Sequence, residues 1–494
     1  MISSYYPWLT VYPVFLLIKV LGNILLGYRL SIIFFTFLSG LSAYGCARYL
    51  RASTNNSLLF AVTYLFSTYH TVNIFLRSAV GEIICAAIVP IVFTALYATL
   101  QGRRRAWVVL AIGMTAIVYT HVISVLLTAI MCLALVLPFT HILARHKDRL
   151  TAIVKSIVLT LLLSAGFLVP FMQSLRQHSV QLPTPTKLQE SASTLSEFMS
   201  SAFTNRLTSF TLGVIIILML LTCLIEFPKL NRISKHLIIL SLLMVLLQIH
   251  SPVLDLLDFL HLNQIQFIWR LNSFPTLFIP YVFWSDGITV STDWINSLHT
   301  PLLLGLVLLE LVFTFISTNY LFNTDTRYFI HGQVTSSQQM VTKLSKYAHG
   351  DYRPVGSPSP FDKQQRGQLN LSFSPANARV RATRHDSFVD YRLTANRPNI
   401  KLSTGVYSYK NFQVTYNTTT SISRRHGLIF AQSSSNHLHV RVRAVYPRLT
   451  RVTWLISLVS FLITVIGLIL QPNVTQQISS RQLATSQNFH SARP

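Results

Sequence analysis

The chain has 494 residues, 51% of them hydrophobic and only 11% charged, with a mean hydropathy of +0.47, which excludes a soluble multi-domain protein of this length and predicts a polytopic membrane protein. The 40 Lys and Arg against 15 Asp and Glu leave a formal net charge of +25. Short basic loops of the positive-inside kind account for part of that excess, and no basic helix, zinc-finger spacing or RNA-binding signature accompanies it, so no nucleic-acid partner is expected. Cys46, Cys85, Cys132 and Cys223 all lie in apolar segments, where they read as small hydrophobes and form neither a disulfide framework nor a metal site.

Residues 8–26 are apolar but interrupted by Pro13, Lys19 and Gly22, and predict an interfacial helix or a poor span. Residues 30–47 predict a span that ends at Arg48 and Arg51, a cytoplasmic end by the positive-inside rule. Alternation then runs 57–75 outward, 83–100 back to Arg103, Arg104 and Arg105, and 107–119 outward to His121. Residues 122–139 return to Arg145, Lys147 and Arg149, and 153–171 leave again. A polar stretch at 173–206 is expected outside, long enough to cover a site. Residues 212–225 return to Lys229, Arg232 and Lys235, and 237–249 cross to a short stretch with Asp255, Asp258 and His261. The segment QFIWRLNSFPTLFIPYVFW places Arg270 beside Trp269 near its outer end, with Pro275 and Pro280 breaking its helix. The loop at 286–298 holds Asp286 and Asp293 without Lys or Arg, so charge does not orient it. Residues 301–317 predict another span with Glu310 in its middle, read as a hydrogen-bonded or protonated structural group.

Beyond residue 318 the apolar runs stop. ARVRATR, NFQVTYN and HLHVRVRA alternate with period two between turn residues, which predicts strands of a small sandwich-like unit. The expected organisation is a mainly α polytopic helical bundle over 1–318, with about 11 spans in all. A small extracytoplasmic β-rich domain follows at 319–449, then a last span at 450–471 and a disordered cytoplasmic tail at 472–494.

No Walker A, dinucleotide-binding, HExxH or GxSxG pattern is present, no metal site is legible and no cofactor is expected. The groups that remain on the outward side are Arg77, Glu82, His121, Arg270 and Tyr6, with Tyr5 beside it. Two arginines and a histidine suit a phosphate or pyrophosphate, because a guanidinium presents a fixed fork of donors to its oxygens. A lipid-linked phosphate is the natural ligand at that depth. Glu82 either orients Arg77 or takes a proton, and orientation is the favoured reading, since sugar-transfer sites usually need a second carboxylate. The bland reading is that Arg77 and Glu82 simply pair at the interface.

SYYPWLTVYP near the start, the RSAVGE box of Arg77 to Glu82 with Pro90 downstream, His121 ending its span, QFIWRL around Arg270, DYRP at 351–354 and VYSYKNFQV before the last span together resemble the bacterial 6-pyruvoyl-tetrahydropterin-synthase-related membrane proteins. They are more distantly similar to the YfhO-like proteins. The family name describes a domain and implies no pterin chemistry. The resemblance implies a GT-C-like fold, that of cell-envelope glycosyltransferases which use polyprenyl-phosphate-linked saccharides at the outer face of the bacterial cell membrane. In that fold a first span and an outer loop with an acidic catalytic base come first. This chain opens downstream of where that loop would end, so it is expected to be N-terminally incomplete and inactive in transfer. The alternative is a non-catalytic membrane protein, such as a lipid-linked saccharide transporter, flippase or assembly partner.

Overall fold

A computed structural model describes residues 6–176, 186–205, 207, 210–285, 301, 305, 308–309, 311–319, 336–340, 353–354, 356–358, 371–385, 388–409 and 412–470. Tyr5, the 286–298 loop, Glu310, Asp351 and Tyr352 of the DYRP stretch, and the 472–494 tail lie outside the described residues. The fold is a mainly helical membrane bundle followed by a small antiparallel β unit and a last helix.

The interrupted first segment is a helix α1 (Trp8–Leu21) that stops at Gly22, whose φ of +63° only glycine adopts cheaply. Asn23 then caps α2 (Ile24–Tyr49) by accepting from Leu26 N–H at 3.0 Å. Next come α3 (Thr54–Phe66), the short α4 (Thr68–Thr71), α5 (Val80–Leu100), α6 (Ala106–Val118), α7 (Val122–Val136), α8 (Thr140–Arg145) and α9 (Lys147–Arg176). They are followed by α10 (Leu195–Phe203), α11 (Val214–Ile225), α12 (Arg232–Leu246), α13 (Pro252–Phe259), α14 (Pro275–Ser285) and, after the β unit, α15 (Arg448–Leu470). Among the described residues five helical stretches are long and apolar enough to cross a membrane, or six if the bent pair formed by α3 and Thr68–Leu76 is one span. The remaining apolar segments include α1, α6 and α11, which are shorter than a straight crossing requires. The sequence expectation of about 11 spans counted α6 and α11 as full crossings, while the segment of α1 was read as an interfacial helix or a poor span.

Two prolines inside helices show how the bundle is joined. Pro90 has no N–H, so the Ala86 carbonyl of α5 loses its helical partner. The buried Tyr64 hydroxyl of α3 donates to that oxygen at 2.8 Å. In the same way Pro170 frees the Gly166 carbonyl of α9, and Trp454 Nε1 of α15 donates to it at 2.9 Å. A Cβ on Gly166 would meet the Trp454 ring at 2.9 Å, so glycine is what allows the two helices to approach. Unsatisfied carbonyls are costly in hydrocarbon, and each proline thereby specifies a neighbour that carries a donor. An aromatic cluster of Phe60, Phe93, Phe278 and Tyr281, with ring centroids 5.5–6.0 Å apart, ties α3, α5 and α14 together.

The basic loop residues Arg103 and Arg149 gather at one end of the bundle. Arg149 at the start of α9 donates to Leu100 O at the end of α5, at 2.9 Å, and Arg103 lies 5.8 Å over the Tyr49 ring at the end of α2. The other end of α5, some 30 Å away at 1.5 Å per residue, carries Glu82. That same end holds the α6–α7 junction, where Leu9 N–H donates to Tyr119 O at 2.7 Å and Trp8 packs on Tyr119 at 5.2 Å and on Trp454 at 6.0 Å. Trp454 stands in the second turn of α15. The β unit therefore joins the bundle at the Glu82 end, and α15 runs from there towards the basic end.

The β unit is two four-stranded antiparallel sheets, ordered β1-β4-β7-β6 and β2-β3-β8-β5. The strands are β1 (Ser372–Ser374), β2 (Arg379–Arg384), β3 (Phe388–Thr394), β4 (Ile400–Tyr407), β5 (Phe412–Tyr416), β6 (Thr420–Arg425), β7 (Leu428–Ser433) and β8 (His437–Ala444). Alternate residues Tyr391, Leu393, Leu438, Val440 and Val442 of one sheet meet Ile400, Leu402, Ile429 and Ala431 of the other in a shared apolar core, the arrangement of a sandwich.

Candidate functional site

The backbone between α4 and α5 is irregular where the charged residues sit. Val72–Leu76 forms a π turn in which Arg77 N–H donates to Val72 O at 3.0 Å, and Ser78 follows at φ +49°. Such single π turns often accompany functional side chains because they re-aim one residue without ending the helix. Here the residue re-aimed is Arg77. Its Nη1 donates to Asn73 Oδ1 at 2.5 Å and to Glu82 Oε2 at 2.7 Å.

Glu82 lies in the first turn of α5, where a carboxylate is favoured by the helix dipole. Its side chain is only 6% exposed. Oε2 also accepts from the Tyr69 hydroxyl at 3.1 Å, and Oε1 lies 3.2 Å from Arg270 Nε. That last contact is an ion pair without hydrogen-bond alignment, so both atoms lack a hydrogen-bond partner among the described residues.

Arg270 arrives on a 3₁₀ turn, Ile268–Ser273, ahead of α14. Pro275 opens α14 rather than breaking it, as suits a residue with no N–H to give in the first turn, and Pro280 is accommodated within the helix. The turn is held from both sides. Arg270 Nη1 donates to Ile265 O at 2.7 Å and to Gln266 Oε1 at 2.8 Å, with Gln266 itself at φ +67°. Buried Asn272 accepts from Gln248 at 2.7 Å and donates to Phe210 O at 2.7 Å. Trp269 projects between the two arginines: the Arg77 guanidinium lies 4.6 Å from its ring and that of Arg270 5.9 Å. Phe210 stacks on the same ring at 4.3 Å.

His121 caps α7 with an extended backbone, and its Nδ1 lies 2.9 Å from Ser124 Oγ. Its ring rests on Gly81, where a Cβ would come within 2.9 Å of it. Arg77, Glu82 and Arg270 are thus brought together, and His121 flanks them one residue from Glu82. Tyr6 is exposed at the head of α1 and is not one of the three groups on Glu82. Asp258 is used elsewhere, accepting from Leu188 N–H at 3.2 Å to cap the turn Leu188–Ser191, and Asp255 is exposed. Among the described residues no group of three His, Cys, Asp or Glu is placed to hold a metal ion.

Sequence reasoning missed Tyr69, Asn73 and Trp269. Tyr69, Asn73 and Arg77 recur at every fourth position, which places them on one face of a helix; that spacing was the available signal. What the arrangement can do follows from its charge. Two guanidiniums share one carboxylate in a largely buried position, leaving an excess of one positive charge beside a small cavity of about 30 Å³ that Tyr69, Glu82 and Ser124 help to line.

The family model described as 6-pyruvoyl-tetrahydropterin synthase related domain, membrane protein, matches residues 3–317. The chain belongs to this family. The match covers every residue of the charged cluster and stops short of the β unit, so in this 6-pyruvoyl-tetrahydropterin-synthase-related protein the site is carried by the family domain. No curated protein matches the chain.

Proposed function

We propose that this multi-pass membrane protein handles a polyprenyl-phosphate-linked saccharide, the ligand class implied by its glycosyltransferase-like resemblance, with Arg77 and Arg270 directed at the phosphate and His121 at the wall of the site. The observation that carries the reading is the uncompensated positive charge of the Arg77–Glu82–Arg270 cluster. A buried charge excess is expensive unless a counter-charge completes it, and a phosphate at the head of a lipid reaches the end of a membrane helix directly. The basic loops at the opposite end of α5 support an outer-face location by the positive-inside rule. The attachment of the β unit beside Trp454 supports an extracytoplasmic domain on the same side as the site.

The second reading, binding without transfer as in a transporter, flippase or assembly partner, is favoured by the state of Glu82. Its Oε2 accepts from Arg77 and Tyr69, while Oε1, which lacks a hydrogen-bond partner among the described residues, faces Arg270 as an ion pair. Taking a proton would cost this carboxylate its attraction to two largely buried guanidiniums, so Glu82 is assigned to positioning the arginines. The experiment is a titration of the purified full chain with polyprenyl phosphate, comparing Arg77→Lys and Arg270→Lys with the parent. Lysine keeps the charge and loses the fork, and a loss of about tenfold or more in affinity is expected. Lys variants that bind as tightly as the parent exclude the guanidinium clamp.

A further inference from the structure

The sheet β2-β3-β8-β5 turns one face to the apolar core, and its other face is arginine-rich. Directly opposed residues of neighbouring strands share a face, so the register places Arg379, Arg381, Arg392, Arg441 and Arg443 together on the outside, with His437 and His439 among them. Arg381 stands directly opposite Arg392, a like-charge pairing that weakens a sheet. Asp390 is the acidic residue on this face among the described residues, and it is itself 5% exposed. It accepts from His439 at 2.8 Å, Arg441 at 3.1 Å and Arg392 at 3.2 Å, so it fixes their direction while the face stays strongly cationic. Arg379, Arg381 and Arg443 are exposed and have no carboxylate within ion-pair distance among the described residues. The outer face of the other sheet is less basic, with Lys401 and Arg425 among Ser403, Ser421, Ser423 and Gln432. The arginines are therefore concentrated on one side of the sandwich, five among the described residues against Arg425 on the other outer face.

We propose that the outer face of the β2-β3-β8-β5 sheet docks an acidic glycan, a saccharide polymer that carries carboxylate or phosphate groups along its length. Cationic groups on a pleated sheet repeat at about 5 Å across strands and about 7 Å along them, which lets one extended polyanion meet several positive charges at once, whereas a small anion would meet one or two. A bilayer surface fits less well. β8 runs towards α15 and ends at Ala444, so Arg379, aligned through Thr394 with His437, stands a strand's length, about 25 Å, from the start of α15. A single-stranded nucleic acid fits less well too, because its bases need open aromatic platforms and Phe388, the aromatic of this face among the described residues, is covered by Arg441 at 4.4 Å and His385 at 4.2 Å. This inference stands apart from the phosphate reading of Arg77 and Arg270.

The test uses the full chain in phosphatidylcholine nanodiscs titrated with fluorescent polygalacturonate, with neutral dextran as the control. Saturable binding that weakens with added salt is expected, with none to dextran. The triple variant Arg379→Gln, Arg381→Gln, Arg443→Gln should bind about tenfold more weakly or worse, and the matching triple Lys variant, which keeps the charge and reports on folding, within about threefold of the parent. The inference is overturned if the Gln variant binds as the parent does or the Lys variant loses as much as the Gln variant. Tighter binding of single-stranded DNA or of phosphatidylglycerol vesicles than of polygalacturonate overturns it equally.

Discussion

Arg77 and Arg270 lie at the end of an apolar bundle with one carboxylate between them, whereas Arg379, Arg381 and Arg443 stand exposed on a sheet face with none in reach among the described residues. The same side chain has different work in the two places because the medium differs. In the bundle a guanidinium cannot be left to water, so every contact is specified: Asn73, Glu82 and Trp269 for Arg77, and Ile265, Gln266 and Glu82 for Arg270. On the sheet, water and salt satisfy the charge, and proximity alone builds the positive field. The buried pair should accordingly dominate stability and the exposed set should dominate long-range attraction.

The sharpest way to break that contrast is Glu82→Gln. Removing the one carboxylate leaves two buried guanidiniums facing each other, and breaking a buried ion pair from one side typically costs about 3–5 kcal/mol. Thermal unfolding of the purified full chain should show a large drop for Glu82→Gln, while Arg443→Gln stays within about 0.5 kcal/mol of the parent. Equal melting temperatures for the two variants would mean that the cluster is hydrated and that burial does not separate the two sets of arginines.

How much of this was legible beforehand divides along the same line. The helical bundle, the strand-rich unit and the last helix follow from local periodicity, which each segment carries by itself. The grouping of Arg77, Glu82 and Arg270 was legible because charge at the end of an apolar run is rare and conspicuous. Tyr69 and Trp269 were not, since a tyrosine and a tryptophan near a membrane interface are ordinary there. The link between Pro170 and Trp454 was also hidden. A proline announces an orphaned carbonyl four residues back, but the donor that reaches it is 288 positions away in the chain. The length of α6 was legible in the 13 residues of 107–119; it was read as a crossing because the alternation of basic loops called for one there.

Trp454→Phe probes an intermediate case, a neutral polar group at the lipid-facing side of the bundle. Phenylalanine keeps most of the ring packing on Gly166 and removes the Nε1–H that satisfies its carbonyl. An acceptor left without a donor costs about 1–3 kcal/mol. Pro170→Ala restores an N–H to α9 and with it an alternative partner for the Gly166 carbonyl, so the indole should matter less in that background. A double-mutant cycle read by unfolding of the full chain should give a positive coupling between the two positions. Additive losses would show that Trp454 contributes packing alone.

The smallest effect belongs to Asp390, and it carries a sign that can be checked. Burial by itself would raise the pKa of this carboxyl; the hydrogen bonds from His439 and Arg441 outweigh that and hold it below its ordinary value of 3.8. A carboxylate whose folded pKa is depressed stabilises the fold fully above its unfolded pKa, and the contribution disappears as pH falls through the folded value. Asp390→Asn removes that contribution at neutral pH, at a cost of about 1 kcal/mol because His439, Arg441 and Arg392 are only partly buried. The loss should be largest near pH 7 and shrink in acid, where the parent's own carboxyl becomes protonated. Thermal unfolding of the strand signal by circular dichroism in the parent and the variant, at neutral pH and again well below 3.8, measures this directly. A gap between the two proteins that stays constant or widens in acid would mean that Asp390 acts through packing and not through its charge, and the arginines around it would then owe their direction to the strands alone.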